Sequence, residues 1–281
     1  MAKGDHIPQG WLGQVDQWMA SHPAFPRATP YFVFVGGLFL INALRDQWAI
    51  SYLPSYLILN ILIAWMMWRY RRLTPELNLK FHWLAVPVGV VVFALWVWIG
   101  QQMRAFGEGN DVDTGWNFFK HLGEGFWGWT GMVMRLVGMS ILVPLFEELF
   151  IRSLLLRCFY RAKRTLRGFG QILIDFPMIG DMLIHTEWAR RLDEHPVLFR
   201  SEFEATPVGE LSVFGVMVST LLFTFGHRIP DWPGAILCGV VYCLLLRVTR
   251  HKGLGPVVWA HGITNALLWI YVLKTDGWSF L

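Results

Sequence analysis

VPLFEELFIRSLLLRCFY, Val143 to Tyr160, sets two adjacent carboxylates, Glu147 and Glu148, and a guanidinium, Arg152, inside a segment otherwise too apolar to face water. Ionisable groups at lipid depth are costly and usually mark a site whose partners wait on neighbouring helices. Residues four apart share a helical face, so Glu148 pairs with Arg152. Glu147 is rotated by about 100° from Glu148 and has no partner in its own helix. It is the carboxylate left free to act.

The rest of the composition agrees with a membrane setting. Of the 281 residues, 54% are hydrophobic and only 16% charged, against about 25% charged in soluble domains. At about 20 residues per crossing, the expected fold is all-α, a polytopic membrane helix bundle of about seven transmembrane helices, with six to eight as the range. The net charge of +4 is small and its Lys and Arg residues cluster in particular loops, which is the signature of membrane topology and not of a nucleic-acid partner. Cys158, Cys238 and Cys243 show no CxxC or Cys/His spacing, so neither a zinc knuckle nor a disulfide framework is expected. Met1 to Pro30 lacks the basic-then-apolar order of a cleavable signal peptide.

Seven crossings can be drawn: Tyr31 to Leu44, Tyr52 to Trp68, His82 to Gln101, a long segment within Thr130 to Tyr160, Leu211 to Phe225, Pro233 to Leu246 and Pro256 to Leu273. The fourth would span about 46 Å as one helix, longer than the roughly 30 Å hydrocarbon core. Pro144 offers a break there, freeing the Ser140 carbonyl four residues back. Basic loops at Arg69 to Lys80, after Arg157, and at Arg247 to Lys252 fall on one side if the crossings alternate. The positive-inside rule makes that side cytoplasmic, with the N-terminus inside and the C-terminus outside. The acidic loop from Arg104 to Glu124 lies outside, and its aromatic end, Trp116 to Trp129, suits an interfacial piece.

Partners for Glu147 come from the last crossings. His227 closes FTFGH, and His261 opens HGITN with Asn265 on the same helical face. Counted from the cytoplasmic edge, Glu147, His261 and Asn265 fall at similar depth, while His227 lies closer to the other face. A glutamate and a histidine flanking one water make a general-base arrangement for hydrolysis. A second histidine and an asparagine can donate to the oxyanion formed when that water attacks a carbonyl. The hydrophobic segments lack GxSxG, and Ser140 and Ser153 have no histidine near them in sequence. Water is therefore the expected nucleophile.

These same residues resemble those of the CAAX protease and bacteriocin-processing (CPBP, Abi) family of membrane proteases. EELFIR, Glu147 to Arg152, matches its EExxxR motif; FTFGH, Phe223 to His227, matches FxxxH; and HGITN, His261 to Asn265, matches HxxxN, all in order. The resemblance covers about half the chain, from Pro144 onward. The WSF ending and the long segment between the first two motifs look more narrowly like the exosortase-associated CAAX-protease-related subgroup. What the resemblance implies is an Rce1-like helical bundle and an intramembrane endopeptidase. In it Glu147 and His227 activate water, His261 and Asn265 form an oxyanion hole, and Glu148, Arg152 and Phe223 support them. Ser153 stands where many relatives have glycine. The implied organisation is an N-terminal cytoplasmic segment, 1–30, and a single membrane domain, 31–281. That domain holds a protease-like motif core, 130–273, and a cytoplasmic insert, 161–210. The expected setting is a bacterial inner membrane, with the lipid bilayer and a peptide or membrane-protein substrate, lipid-modified substrates included, as partners.

Blander readings exist for each residue alone. Glu148 with Arg152 is a common structural ion pair, His227 an interfacial histidine, and His261 with Asn265 helix-to-helix glue. Their joint occurrence favours a site. Glu147, His227 and His261 could hold zinc with one open position, but with no HExxH a metal-free, glutamate-activated water is preferred and no cofactor is assigned. A non-catalytic scaffold or immunity/export partner of the same fold is the alternative function, and a proton-coupled transporter using the same groups as a relay is a third.

Overall fold

Every regular element among the described residues is helical. The computed structural model describes residues 10–45, 48–106, 116–160, 170, 173–174, 179–183, 185–192 and 203–280. The acidic residues Glu108, Asp111 and Asp113, the basic run Arg161, Lys163, Arg164 and Arg167, and much of the 161–210 insert lie outside the described residues.

A short helix, α1 (Trp11–Ser21), precedes α2 (Phe25–Arg45), α3 (Tyr52–Arg69) and α4 (Ala85–Phe106). Helix α2 starts six residues before the Tyr31 expected from hydropathy. Pro26 sits in its first turn, where no amide is needed, and the one interior proline, Pro30, frees only the Pro26 carbonyl. After α5 (Phe118–Leu122) comes a helical rod over 126–158. It comprises α6 (Phe126–Val137), a π-helical stretch (Gly138–Leu142), α7 (Val143–Glu148), a second π stretch (Leu149–Leu155) and α8 (Leu156–Cys158). The described part of the insert contributes α9 (Ile179–Leu183) and α10 (Glu187–Leu192). Then follow α11 (Val213–Phe225), α12 (Trp232–Thr249) and α13 (Gly255–Thr275), the last two each opening with a proline in the first turn.

Among the described residues, five segments are long and apolar enough to cross a membrane, namely α2, α3 with the turn before it, α4, α12 with its flanking turns, and α13. The rod and the shorter α11 are the other apolar helices in the expected series of seven. Side chains on the outside are apolar, as lipid contact requires: Phe39 is 78% exposed and Val213 75%. The rod runs through the middle. From Val143 to Arg157 nearly every side chain is buried, Leu149, Leu154 and Leu156 completely, because neighbours surround this stretch on all sides.

Pro144 does not break the rod as the sequence suggested. Its ring would collide with the Ser140 carbonyl in a regular α-helix, and widening the preceding turn into a π stretch carries the chain past it without a stop.

The basic loops gather at one end. Glu210 accepts hydrogen bonds from Arg247 at 2.8 Å and from Arg250, and Lys252 donates to the Phe81 carbonyl at 2.9 Å. At this end α1 is tied down by Asp16, which accepts from Arg69 at 2.8 and 2.5 Å. Those bonds hold the Asp16 carboxyl below its ordinary value. Arg104, Asp231 and Ser279 meet at the opposite end.

Glu76, in the turn between α3 and α4, knots the basic end together. It accepts from Arg27 of α2 at 2.6 and 3.0 Å and from the Ser153 hydroxyl at 2.5 Å, with Arg157 3.7 Å away. Burial pushes the Glu76 carboxyl up, but the Arg27 hydrogen bonds and charge, with help from Ser153, outweigh it and hold the group below its ordinary 4.5. A depressed carboxylate stabilises the fold above its unfolded value and loses that contribution as pH falls through the folded one. Glu76→Gln is expected to destabilise the protein at neutral pH by about 3–5 kcal/mol, because it leaves Arg27 buried and uncompensated. Thermal melts in detergent should show the gap to wild type closing as pH drops below 4.5; a gap independent of pH would contradict the assignment.

Candidate active site

The rod presents Glu147 and Glu148 to different neighbours. Glu148 is completely buried, with Oε2 3.2 Å from Arg152 Nε on the same face, the pair expected from spacing. The two groups are close but off-line, and no Arg152 nitrogen has an aligned hydrogen bond. The guanidinium is instead held between rings, its Cζ 4.7 Å from the Phe223 centroid and 5.7 Å from that of Tyr242. A desolvated cation over an aromatic face is stabilised by the ring quadrupole, by about 2 kcal/mol. Phe223, the first residue of FxxxH, therefore supports the first motif from another helix.

The other oxygen of Glu148 accepts from His261 Nδ1 at 2.8 Å. A carboxylate can only accept, so Nδ1 carries a proton and Nε2 is turned toward Glu147, whose Oε2 lies 3.7 Å away. His261 thus bridges both glutamates. A carboxylate on one ring nitrogen fixes the tautomer and orientation of the other. The sequence showed Glu148 paired only with Arg152. Its second partner is 113 residues away in the chain and has no local signal.

His227 stands just past the end of α11. Its Nδ1 donates back to the Phe223 carbonyl at 2.8 Å, which leaves Nε2 as the free ring nitrogen. Phe223 therefore serves twice, by its ring and by its carbonyl. The Trp96 ring of α4 meets the imidazole edge-on at 5.4 Å, and Trp232 Nε1 donates to the His227 carbonyl at 3.0 Å. The depth mismatch counted along the sequence is absorbed, because α11 is short and the imidazole folds back over its last turn. Asn265 donates through Nδ2 to the Met139 carbonyl at 2.7 Å. That carbonyl belongs to the first π stretch. Its neighbour, the Ser140 carbonyl freed by Pro144, abuts Gly262, where a Cβ would sit 2.5 Å from the oxygen. Only glycine allows α13 this close.

Glu147, His227, His261 and Asn265 line one cavity of about 250 Å³, with Phe223 in its wall. Glu148 and Arg152 stand behind it. Trp96, Arg228, Asp231 and Phe280 are also in the lining. Sequence reasoning missed these four, although the charges of Arg228 and Asp231 in HRIPDW were a visible hint. Among the described residues no three His, Cys, Asp or Glu side chains come together closely enough to hold an ion. What the cavity does hold is a carboxylate, two imidazole Nε2 nitrogens and an amide donor around a space large enough for water and part of a substrate.

A family model described as type II CAAX prenyl endopeptidase Rce1-like matches residues 126–267, from the start of the rod to just past Asn265. No curated protein and no solved structure matches the chain.

The two glutamates should differ sharply on substitution. Glu148→Gln leaves Arg152 buried without its countercharge and is expected to cost about 3–5 kcal/mol. Glu147→Gln, facing the cavity with no arginine partner, should cost under about 1 kcal/mol. Paired thermal melts in detergent check this, and equal losses would refute the division between a buried support and a cavity-facing group.

Proposed function

The chain belongs to the type II CAAX prenyl endopeptidase Rce1-like family, and on that premise we propose that it hydrolyses a peptide bond inside the membrane with a water activated by Glu147 and His227. It is an integral, multi-pass membrane protein of a peptidase family. The observation that carries the finer reading is His261 linking the two glutamates on the cavity that His227 and Asn265 also line.

In the proposed step, the water attacks the scissile carbonyl carbon and gives its proton to the Glu147 carboxylate, with His227 Nε2 orienting it. The carbonyl oxygen, now anionic, takes hydrogen bonds from His261 Nε2 when that nitrogen carries a proton and from the second Asn265 amide hydrogen, the first being used on Met139. Collapse of the tetrahedral intermediate breaks the C–N bond, and the proton passes to the departing amine. Glu148 and Arg152 act through His261 by holding its ring. No metal enters this scheme.

The substrate class is a peptide or membrane protein, lipid-modified ones included. The setting proposed is a bacterial inner membrane, with the basic ends of α3, the rod and α12 facing the cytoplasm in accordance with the positive-inside rule.

Glu147→Ala should lower cleavage by about 10²- to 10⁴-fold, the usual contribution of a general base, while the protein still folds. Comparative sequencing of membrane-protein termini from cells with wild type and with Glu147→Ala provides the measurement. Identical sets of termini would sink the reading in favour of a scaffold.

A further inference from the structure

Beyond the last crossing the chain turns sharply back. Asp276 adopts a left-handed conformation at φ 55°, and Trp278–Phe280 form a short 3₁₀ turn with Trp278 and Phe280 both buried. This return segment is latched to the end of the molecule opposite the basic loops. Arg104 of α4 donates to Asp231 at 2.8 Å and to the Ser279 carbonyl at 2.7 Å, and Arg228 reaches the same carbonyl. Asp231, with its side chain only 8% exposed, also faces Arg228 Nε at 3.5 Å. The Arg104 guanidinium lies over the Phe280 ring at 4.0 Å. Room for that ring is made by Gly100, where a Cβ would stand 2.6 Å from the Phe280 Cε1.

All these contacts converge on one outcome, because Phe280 is part of the cavity lining beside His227, Arg228 and Asp231. It lies outside residues 126–267, the family-matched part of the chain. We propose that Phe280 is the end wall of the cavity and determines how large a substrate side chain the site admits, with Arg104, Arg228 and Asp231 as the latch that holds it there. A single aromatic ring, held by one cation–π contact and a carbonyl clasp, closes the space that would otherwise open past His227. The role as a specificity determinant rests on the hydrolase reading; the role as an end wall does not.

Cys238 lines the same cavity and is a built-in reporter. In a Cys158→Ser, Cys243→Ala background, the full-length protein in detergent micelles is treated with a small methanethiosulfonate and with a bulkier maleimide, and modification of Cys238 is followed by intact mass. Phe280→Ala is expected to speed the maleimide reaction by about thirtyfold, the size of effect that losing one desolvated cation–π contact predicts. Phe280→Trp should slow it, and Asp231→Asn, which loosens the latch without touching the ring, should fall between wild type and Phe280→Ala. Rates unchanged across the three variants would overturn the end-wall assignment. Cleavage of a peptide library in parallel should show Phe280→Ala accepting larger residues at one position and Phe280→Trp rejecting them. Unchanged size preference with accelerated labelling refutes the specificity role alone. A wild type that cleaves nothing refutes the hydrolase reading, while the labelling still decides the wall.

Discussion

Glu148 has no contact with solvent, and a carboxylate so placed is tolerated only if its lone pairs and charge are answered from within. Arg152 answers the charge along the same helix, and His261 answers a lone pair from a helix 113 residues further on. Arg152 is equally buried and is steadied by Phe223 and Tyr242, from two further helices. One desolvated charge thus recruits four segments of the chain. The cost of burying it would be hard to justify as packing alone, since apolar replacements are often as stable. It becomes intelligible as the means of aiming a single imidazole nitrogen at Glu147.

The second constraint is backbone geometry. A straight rod would fix the spacing between Glu147 and everything N-terminal to it at 1.5 Å and about 100° per residue. The π stretch before Pro144 shifts that phase and exposes carbonyls that a regular helix would have consumed. Those carbonyls are used: Met139 receives the Asn265 amide, and Ser140 is pressed against Gly262. The proline, the glycine and the asparagine thus belong to one close approach between the rod and α13.

Much of this was legible beforehand, and the reasons are local ones. Apolar runs of about 20 residues announce crossings because lipid admits no unsatisfied backbone, and the Glu148 to Arg152 pair follows from helical repeat alone. Phe223 with His227 and His261 with Asn265 could be put on common faces for the same cause. What spacing could not supply was distance between helices. The tie from Glu148 to His261, the knot from Glu76 to Arg27 and Ser153, and the return of Phe280 into the cavity each join residues separated by dozens of positions. The effect of Pro144 was misjudged because a proline has two ways to be accommodated, a break or a wider turn, and neighbouring helices, not the proline, select between them.

The knot at Glu76 has a bearing on how portable the three motifs are. It binds α2 and the turn after α3 to Ser153 and Arg157 on the rod, while Trp96 of α4 flanks His227. None of the three anchoring residues Arg27, Glu76 and Trp96 falls within 126–267. A graft of that half alone onto a foreign scaffold would carry the lettering of the motifs without the clamp and backing that orient them, so the earlier helices are as much a part of the cavity's architecture as the residues that line it.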